Sequence, residues 1–172
     1  GDHAPEFHAM TPQGKIDFPA DYKGSWVVLF SHPADFTPVC TTEFIALSRM
    51  NETFESLNTK LIGLSIDSLH SHLGWIKSIE ALNFNNEGKV KIPFPIIADI
   101  SMNVARKYGM LQTVANTQTV RAVFIIDPEG MIRTILYYPM STGRNIPEII
   151  RILQSLQLND KTHYSTPANW QP

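Results

Sequence analysis

The 172-residue sequence predicts an α/β domain, and three observations carry that prediction. Apolar runs of strand length alternate with segments of helical periodicity, the element order of α/β domains. The runs are apolar throughout rather than alternating, as strands covered on both faces are. One pair of runs is joined by a short Pro- and Gly-containing turn, a hairpin signature. The length suits one domain with a real core and not two.

The elements follow in order. Trp26-Val27-Val28-Leu29-Phe30 is a continuous apolar run and predicts a buried central strand. From Thr42 the period changes: Phe44, Leu47, Phe54 and Leu57 recur at helical spacing, with Glu52 and Glu55 for the wet side. Residues 60–66 (KLIGLSI) read as the next buried strand, and Leu69, Leu73, Ile76 and Ile79 mark a second amphipathic helix ending near Leu82. Residues 83–91 are polar and turn-rich and predict a surface loop. Pro93 and Pro95 bracket a short extended segment running into Ile96 and Ile97. Residues 101–108 predict a short helix with Gly109 as its cap. The runs 121–126 and 131–138 form the hairpin, joined by Asp127-Pro128-Glu129-Gly130. Ile149, Leu153 and Leu156 define a last helix, and the polar, Pro-containing residues 159–172 read as an arm or linker.

Composition narrows the function classes. The net charge of −2 lacks the clustered basic face of a nucleic-acid binder. The longest apolar runs fall far short of the roughly 20 residues that span a bilayer, and no basic segment followed by an apolar stretch marks a secretory signal after Gly1. The one cysteine, Cys40, excludes a disulfide within these residues and fits a reducing compartment, most simply the cytoplasm. His70 and His72 are two apart, on different faces of a helix, and His3 and His8 lack acidic or Cys partners at ligand spacing, so no metal is expected. There is no phosphate-binding or dinucleotide fingerprint, so no cofactor is expected either.

The segment 31–43 lies between the first strong strand and the first strong helix, the crossing where open α/β sheets bind ligands. Thr37 followed by Pro38 is a helix-start signal, Thr as N-cap and Pro as first helical residue. Cys40 then falls in the first turn, where unpaired N–H groups and the helix dipole favour an anion. Such placement with a cationic neighbour brings a cysteine pKa from near ~8.5 to roughly 3.5–7.5, and the thiolate is the nucleophile. The alternative is that Cys40 is a small buried hydrophobe, the commonest use of a lone cysteine; its Pro-rich polar surroundings argue for catalysis.

Pro33-x-x-x-Thr37-x-x-Cys40 matches the PxxxTxxC motif of peroxiredoxins, and residues 35–43 resemble that family at every position. Asp2-x-Ala4-Pro5-x-Phe7, Phe94-Pro95-Ile96-Ile97-x-Asp99 and Thr142-Gly143-Arg144-Asn145 are similar to further family landmarks, so the resemblance covers nearly the whole chain. The one-cysteine group, which shares SHPxDFTPVCTTE and TGRN, is the most similar. The resemblance implies a thioredoxin-like fold, a mixed central sheet flanked by helices, with residues 1–158 as the peroxidase domain and 159–172 as the start of a C-terminal arm. It implies a thiol-dependent peroxidase acting on hydrogen peroxide and organic hydroperoxides, with Cys40 as nucleophile passing through a sulfenic acid. Thr37 would hold the peroxide. Arg121 would stabilise thiolate and developing oxyanion. Pro33 would shield the sulfur, Glu43 and Arg144 would belong to the arginine network, and His32 would tune or hydrogen-bond the sulfur. On the residues alone, Thr37 could be only a cap, Arg121 and Arg144 surface charges, Glu43 a first-turn acid, and His32 a packed side chain.

The resemblance also implies partners: a hydroperoxide substrate, an external thiol reductant such as thioredoxin or glutathione, and a homodimer or ring of dimers. Relatives continue beyond the point where these residues stop, and some carry resolving cysteines there. A phospholipase activity found in certain one-cysteine relatives is not carried over: Ser25 matches its serine, but Pro19 and Glu129 occupy the histidine and aspartate positions. A dithiol oxidoreductase would need a second cysteine at position 43, where Glu stands. A non-catalytic scaffold of the same fold would not need Thr37 and Arg121 beside Cys40.

Overall fold

A computed structural model describes residues 1–111 and 118–172. Within them the chain runs β1 (Phe7–Thr11), β2 (Gly14–Phe18), β3 (Trp26–Ser31), α1 (Pro38–Arg49), α2 (Asn51–Ser56), β4 (Thr59–Ser65), α3 (Leu69–Ala81), β5 (Ile96–Ala98), α4 (Asn103–Lys107), β6 (Arg121–Ile126), β7 (Ile132–Tyr138) and α5 (Ile146–Thr162). Five strands make one sheet in the order β5-β4-β3-β6-β7. β3 pairs parallel with β4 and antiparallel with β6, so the sheet is mixed, as expected.

The central strands carry no alternation because both of their faces are covered. Trp26, Val28 and Phe30 of β3 join one cluster with Phe44 and Leu47 of α1, Trp75 and Ile79 of α3 and Leu153 of α5. Val27 and Leu29 point the other way, into a cluster with Phe7, Phe18 and the α4 residues Val104 and Ala105. The 121–138 hairpin forms where its turn residues place it: Asp127 Oδ1 accepts from the N–H of Glu129 (3.1 Å) and of Met131 (2.8 Å). Gly109 ends α4 at φ +64, with its N–H on Arg106 O and the Met110 N–H on Ala105 O, a Schellman pattern that requires the left-handed residue.

Four features depart from the sequence reading. The helical stretch opens at Pro38, as the Thr37–Pro38 signal predicts, but does not run unbroken to Leu57: it is two helices broken at Met50. Periodicity runs through the break because Phe44, Leu47 and Phe54 all reach the same cluster. The α3 face is rotated: it buries His72, Trp75 and Ile79, while Leu73 stays 40% exposed. The fully buried His72 is tolerated because hydrogen bonds satisfy its ring, and hydropathy gives no weight to such partners. The β1–β2 hairpin was not anticipated, since half its side chains face solvent; a stacked Phe7–Phe18 pair with ring centroids 5.1 Å apart holds it to the core. Finally, α5 continues through Asn159 to Thr162, and the segment after it lies back along the helix through Ser155–Thr166 and Arg151–Trp170 hydrogen bonds.

Candidate active site

The buried central strand β3 carries the chain to its carboxyl end, where residues 32–37 turn it into α1. Thr37 takes the N-cap position with extended backbone (φ −103, ψ 148) and Pro38 follows as a first-turn residue. The Thr37 hydroxyl does not cap the helix as expected; it donates to the Ala34 carbonyl at 2.8 Å. Its oxygen lone pairs are thereby left to accept from another molecule's O–H. Cys40 is the third residue of α1 and fully buried. Glu43, one turn on, lies on the same helix face.

The sheet register supplies the cation. Phe30 pairs with Val123, so Arg121, two residues earlier on the antiparallel β6, comes level with the start of the 32–37 loop. Arg121 is 3% exposed, which excludes a surface role. Its Nη1 donates to Cys40 Sγ at 3.2 Å and to Glu43 Oε2 at 2.9 Å, and its Nε to the Met140 carbonyl at 3.0 Å. Arg144 closes on the same carboxylate: its Nη2 donates to Glu43 Oε2 (2.7 Å), and its Nε (3.0 Å) and backbone N–H (2.8 Å) to Oε1. The Arg144 Nη1 donates to the carbonyls of Ser31 (2.8 Å) and Ala122 (3.0 Å), and its guanidinium lies 5.3 Å from the Phe30 ring centroid. Two guanidinium groups thus share one carboxylate, leaving one net positive charge beside the sulfur. Burial pushes the Glu43 carboxyl up, but the charge and hydrogen bonds of Arg144, with Arg121 behind them, hold it below the usual range.

Cys40, Glu43, Arg121 and Arg144 are therefore brought together, with Thr37 in the turn before them. Pro33 is buried in the same loop. His32 belongs to a different network, and no hydrogen bond joins it to the sulfur among the described residues: its Nε2 pairs with Asp35 Oδ1 at 2.7 Å and its Nδ1 has no partner. Asp35 Oδ2 meets His72 Nδ1 at 2.6 Å and accepts from Ser71 Oγ at 2.8 Å. Burial raises the Asp35 carboxyl, yet the hydrogen bonds from His32 and His72 and their charge outweigh it and hold it well below the usual range. Burial lowers the His32 imidazole further than Asp35 raises it. Sequence reasoning missed this network. The His32–Asp35 spacing of three was a local hint, but His72 lies 37 residues from Asp35 and nothing local announces it. His32, Asp35 and Asp67 also bring ligand-type atoms within 4.8 Å of one another; the Asp67 Oδ2 accepts from the Asp35 N–H and Ser65 Oγ, so the group is occupied by its own hydrogen bonds.

Comparison with known proteins agrees with this geometry. Residues 1–135 match the AhpC/TSA family. A peroxiredoxin of Methanosarcina mazei is 62% identical over all of this chain and 80% of its own length. The solved structure of a yeast mitochondrial 1-Cys peroxiredoxin superposes with a TM-score of 0.90 at 46% identity, covering 99% of this chain and 82% of that one. That of peroxiredoxin 6 from Arenicola Marina gives 0.90 at 40% identity, over 100% and 79%. No helix among the described residues is long and apolar enough to cross a membrane. The chain, with its thioredoxin-like α/β fold, belongs to the AhpC/TSA family of peroxiredoxins and is, as they are, a thiol-dependent peroxidase.

Proposed function

We propose that Cys40 is the peroxidatic nucleophile, reducing hydrogen peroxide and organic hydroperoxides. The observation that carries this is the Arg121 guanidinium 3.2 Å from a sulfur in the first turn of a helix. The thiolate attacks the terminal oxygen of ROOH; the S–O bond forms as the O–O bond breaks, and the departing alkoxide takes a proton to leave as ROH. Arg121 stabilises the negative charge as it moves from sulfur to leaving oxygen. Thr37, whose own proton is committed to Ala34, accepts the peroxide O–H and orients it. Glu43 and Arg144 hold the Arg121 guanidinium in place, and Pro33 packs against water. His32 supports the loop through Asp35.

The sulfenic acid then condenses with a thiol, releasing water, and a second thiol displaces Cys40 as a disulfide is formed. The solved yeast relative is described as resolving its thiol via glutathione/thioredoxin systems, which supports an external thiol of that kind here. A reducing compartment such as the cytoplasm suits that chemistry. Assembly as a homodimer or ring of dimers completes the reading. Cys40→Ser tests it: peroxide consumption is lost while the fold is retained. Retained turnover overturns the assignment.

A further inference from the structure

We propose that His72 is a positioning residue of the peroxidatic site: as a buried imidazolium it holds the Asp35 carboxylate, which in turn holds the 32–37 loop and the tautomer of His32. The proposal rests on the reading of Cys40 as nucleophile. His72 Nε2 lies 3.0 Å from the Ile97 carbonyl, which can only accept, so Nε2 carries a hydrogen. A neutral ring would then turn a bare Nδ1 lone pair on Asp35 Oδ2 at 2.6 Å, so a proton must lie between them. Asp35 already has the surroundings of a carboxylate, since His32 Nε2 and Ser71 Oγ also converge on its two oxygens. The proton therefore belongs to Nδ1. His72 is fully buried, and Asp35 is its counter-ion.

The charged and titratable groups facing this pair are few. From the loop side there are Asp35 itself and His32, beyond which lies Arg144, whose charge acts on His32. Asp67, two residues past β4, accepts the Asp35 backbone N–H at 3.0 Å. From α3 comes the Ser71 hydroxyl, and from β5 only the Ile97 carbonyl. Because Asp35 accepts, His32 keeps its hydrogen on Nε2 and its Nδ1 as a bare lone pair, matching the one buried His32 atom without a partner.

The loop needs such a clamp. Phe36, the residue after Asp35, stands at φ +60 and is 59% exposed, a left-handed conformation that little burial repays. A bulky residue stays there only where its surroundings over-determine the backbone. Asp35 supplies that constraint through its N–H and both carboxylate oxygens, two residues before Thr37 and five before Cys40.

The test is nitrogen NMR of the histidine rings in the 172-residue chain at neutral pH. Two ring N–H protons are expected on His72 and one, on Nε2, on His32. A single N–H on His72, with the proton on Asp35, overturns the proposal without any need for a variant. Asp35→Asn is expected to strip one ring proton from His72. His72→Gln is expected to scramble the His32 tautomer and slow sulfenic acid formation by about ten- to a hundredfold, the scale of a small misplacement of reacting groups. A folded His72→Gln protein that reacts at the parent rate overturns the positioning role. Peroxide turnover surviving Cys40→Ser would instead sink the nucleophile assignment while leaving the histidine protonation pattern unchanged, so the two failures are separable.

Discussion

Arg121 and Arg144 grip the same carboxylate, yet replacing each with Met should be read out in opposite ways. Arg121→Met removes the donor at 3.2 Å from Cys40 Sγ. Deleting one preorganised donor to a developing oxyanion costs about 10²–10³ in rate, equivalent to ~2.7–4 kcal/mol. The fold loses less, because Glu43 keeps three hydrogen bonds from Arg144, two from its side chain and one from its backbone, and only the Met140 contact and one ion pair disappear. Arg144→Met is the reverse. It leaves Arg121 on the sulfur but removes the side-chain half of that grip and strips the donor from the buried Ser31 and Ala122 carbonyls. Breaking a buried ion pair from one side costs about 3–5 kcal/mol. Stopped-flow sulfenic acid formation and urea unfolding of both variants separate the effects. An Arg121→Met protein reacting at the parent rate would show that this guanidinium does not serve the sulfur, and an Arg144→Met protein of undiminished stability would show that its ion pair does not hold the fold.

Three further outcomes follow from the geometry. Thr37→Val should slow peroxide reduction by about 10² while Thr37→Ser largely preserves it, since one lone-pair acceptor is at stake; equal loss in both variants would point to packing instead. Stability should fall on acidification in two stages: the folded His32 pKa lies below the ordinary 6.5, so the unfolded chain takes that proton first and stability drains as pH drops through that value. Glu43 and Asp35, depressed from 4.5 and 3.8, contribute stability that is complete above those values and lost below them, each at up to ~1.4 kcal/mol per pH unit; a pH-independent urea midpoint between neutrality and the carboxylate range would contradict this. Gly109→Ala should cost about 1–2 kcal/mol, because its φ of +64 is strained for any side chain while the nearest atom to the new methyl, Tyr137 Oη at 3.7 Å, leaves room; an unchanged urea midpoint would count against it.

Much of this was legible in the chain. The continuous apolar runs announced strands covered on both faces, and the Asp127–Gly130 turn announced its hairpin, because both signals are local. The motif around Cys40 and the Thr37–Pro38 start placed the sulfur in a first helical turn for the same reason. What escaped depended on partners distant in sequence. The break at Met50 was hidden because the residues on either side reach one cluster. The buried His72 lies off the expected Leu69, Leu73, Ile76 and Ile79 stripe, and its burial is explained only by Asp35 and Ile97, which the fold brings beside it. Arg144, open to reading as a solvated charge, is buried by a carboxylate 101 residues away. The Thr37 hydroxyl turned from capping to its own loop, a choice decided by local geometry that residue type does not reveal.

Peroxide reduction by this chain depends above all on an anionic sulfur at Cys40 held by the Arg121 guanidinium. Ultraviolet thiolate absorbance of the native protein, its Cys40→Ser control and its Arg121→Met variant measures that directly. A thiolate signal is expected at neutral pH, lost in the control and weakened in the Arg121 variant. A signal that rises only in the alkaline range of a free cysteine, near ~8.5, or that ignores Arg121, would rule that anion out.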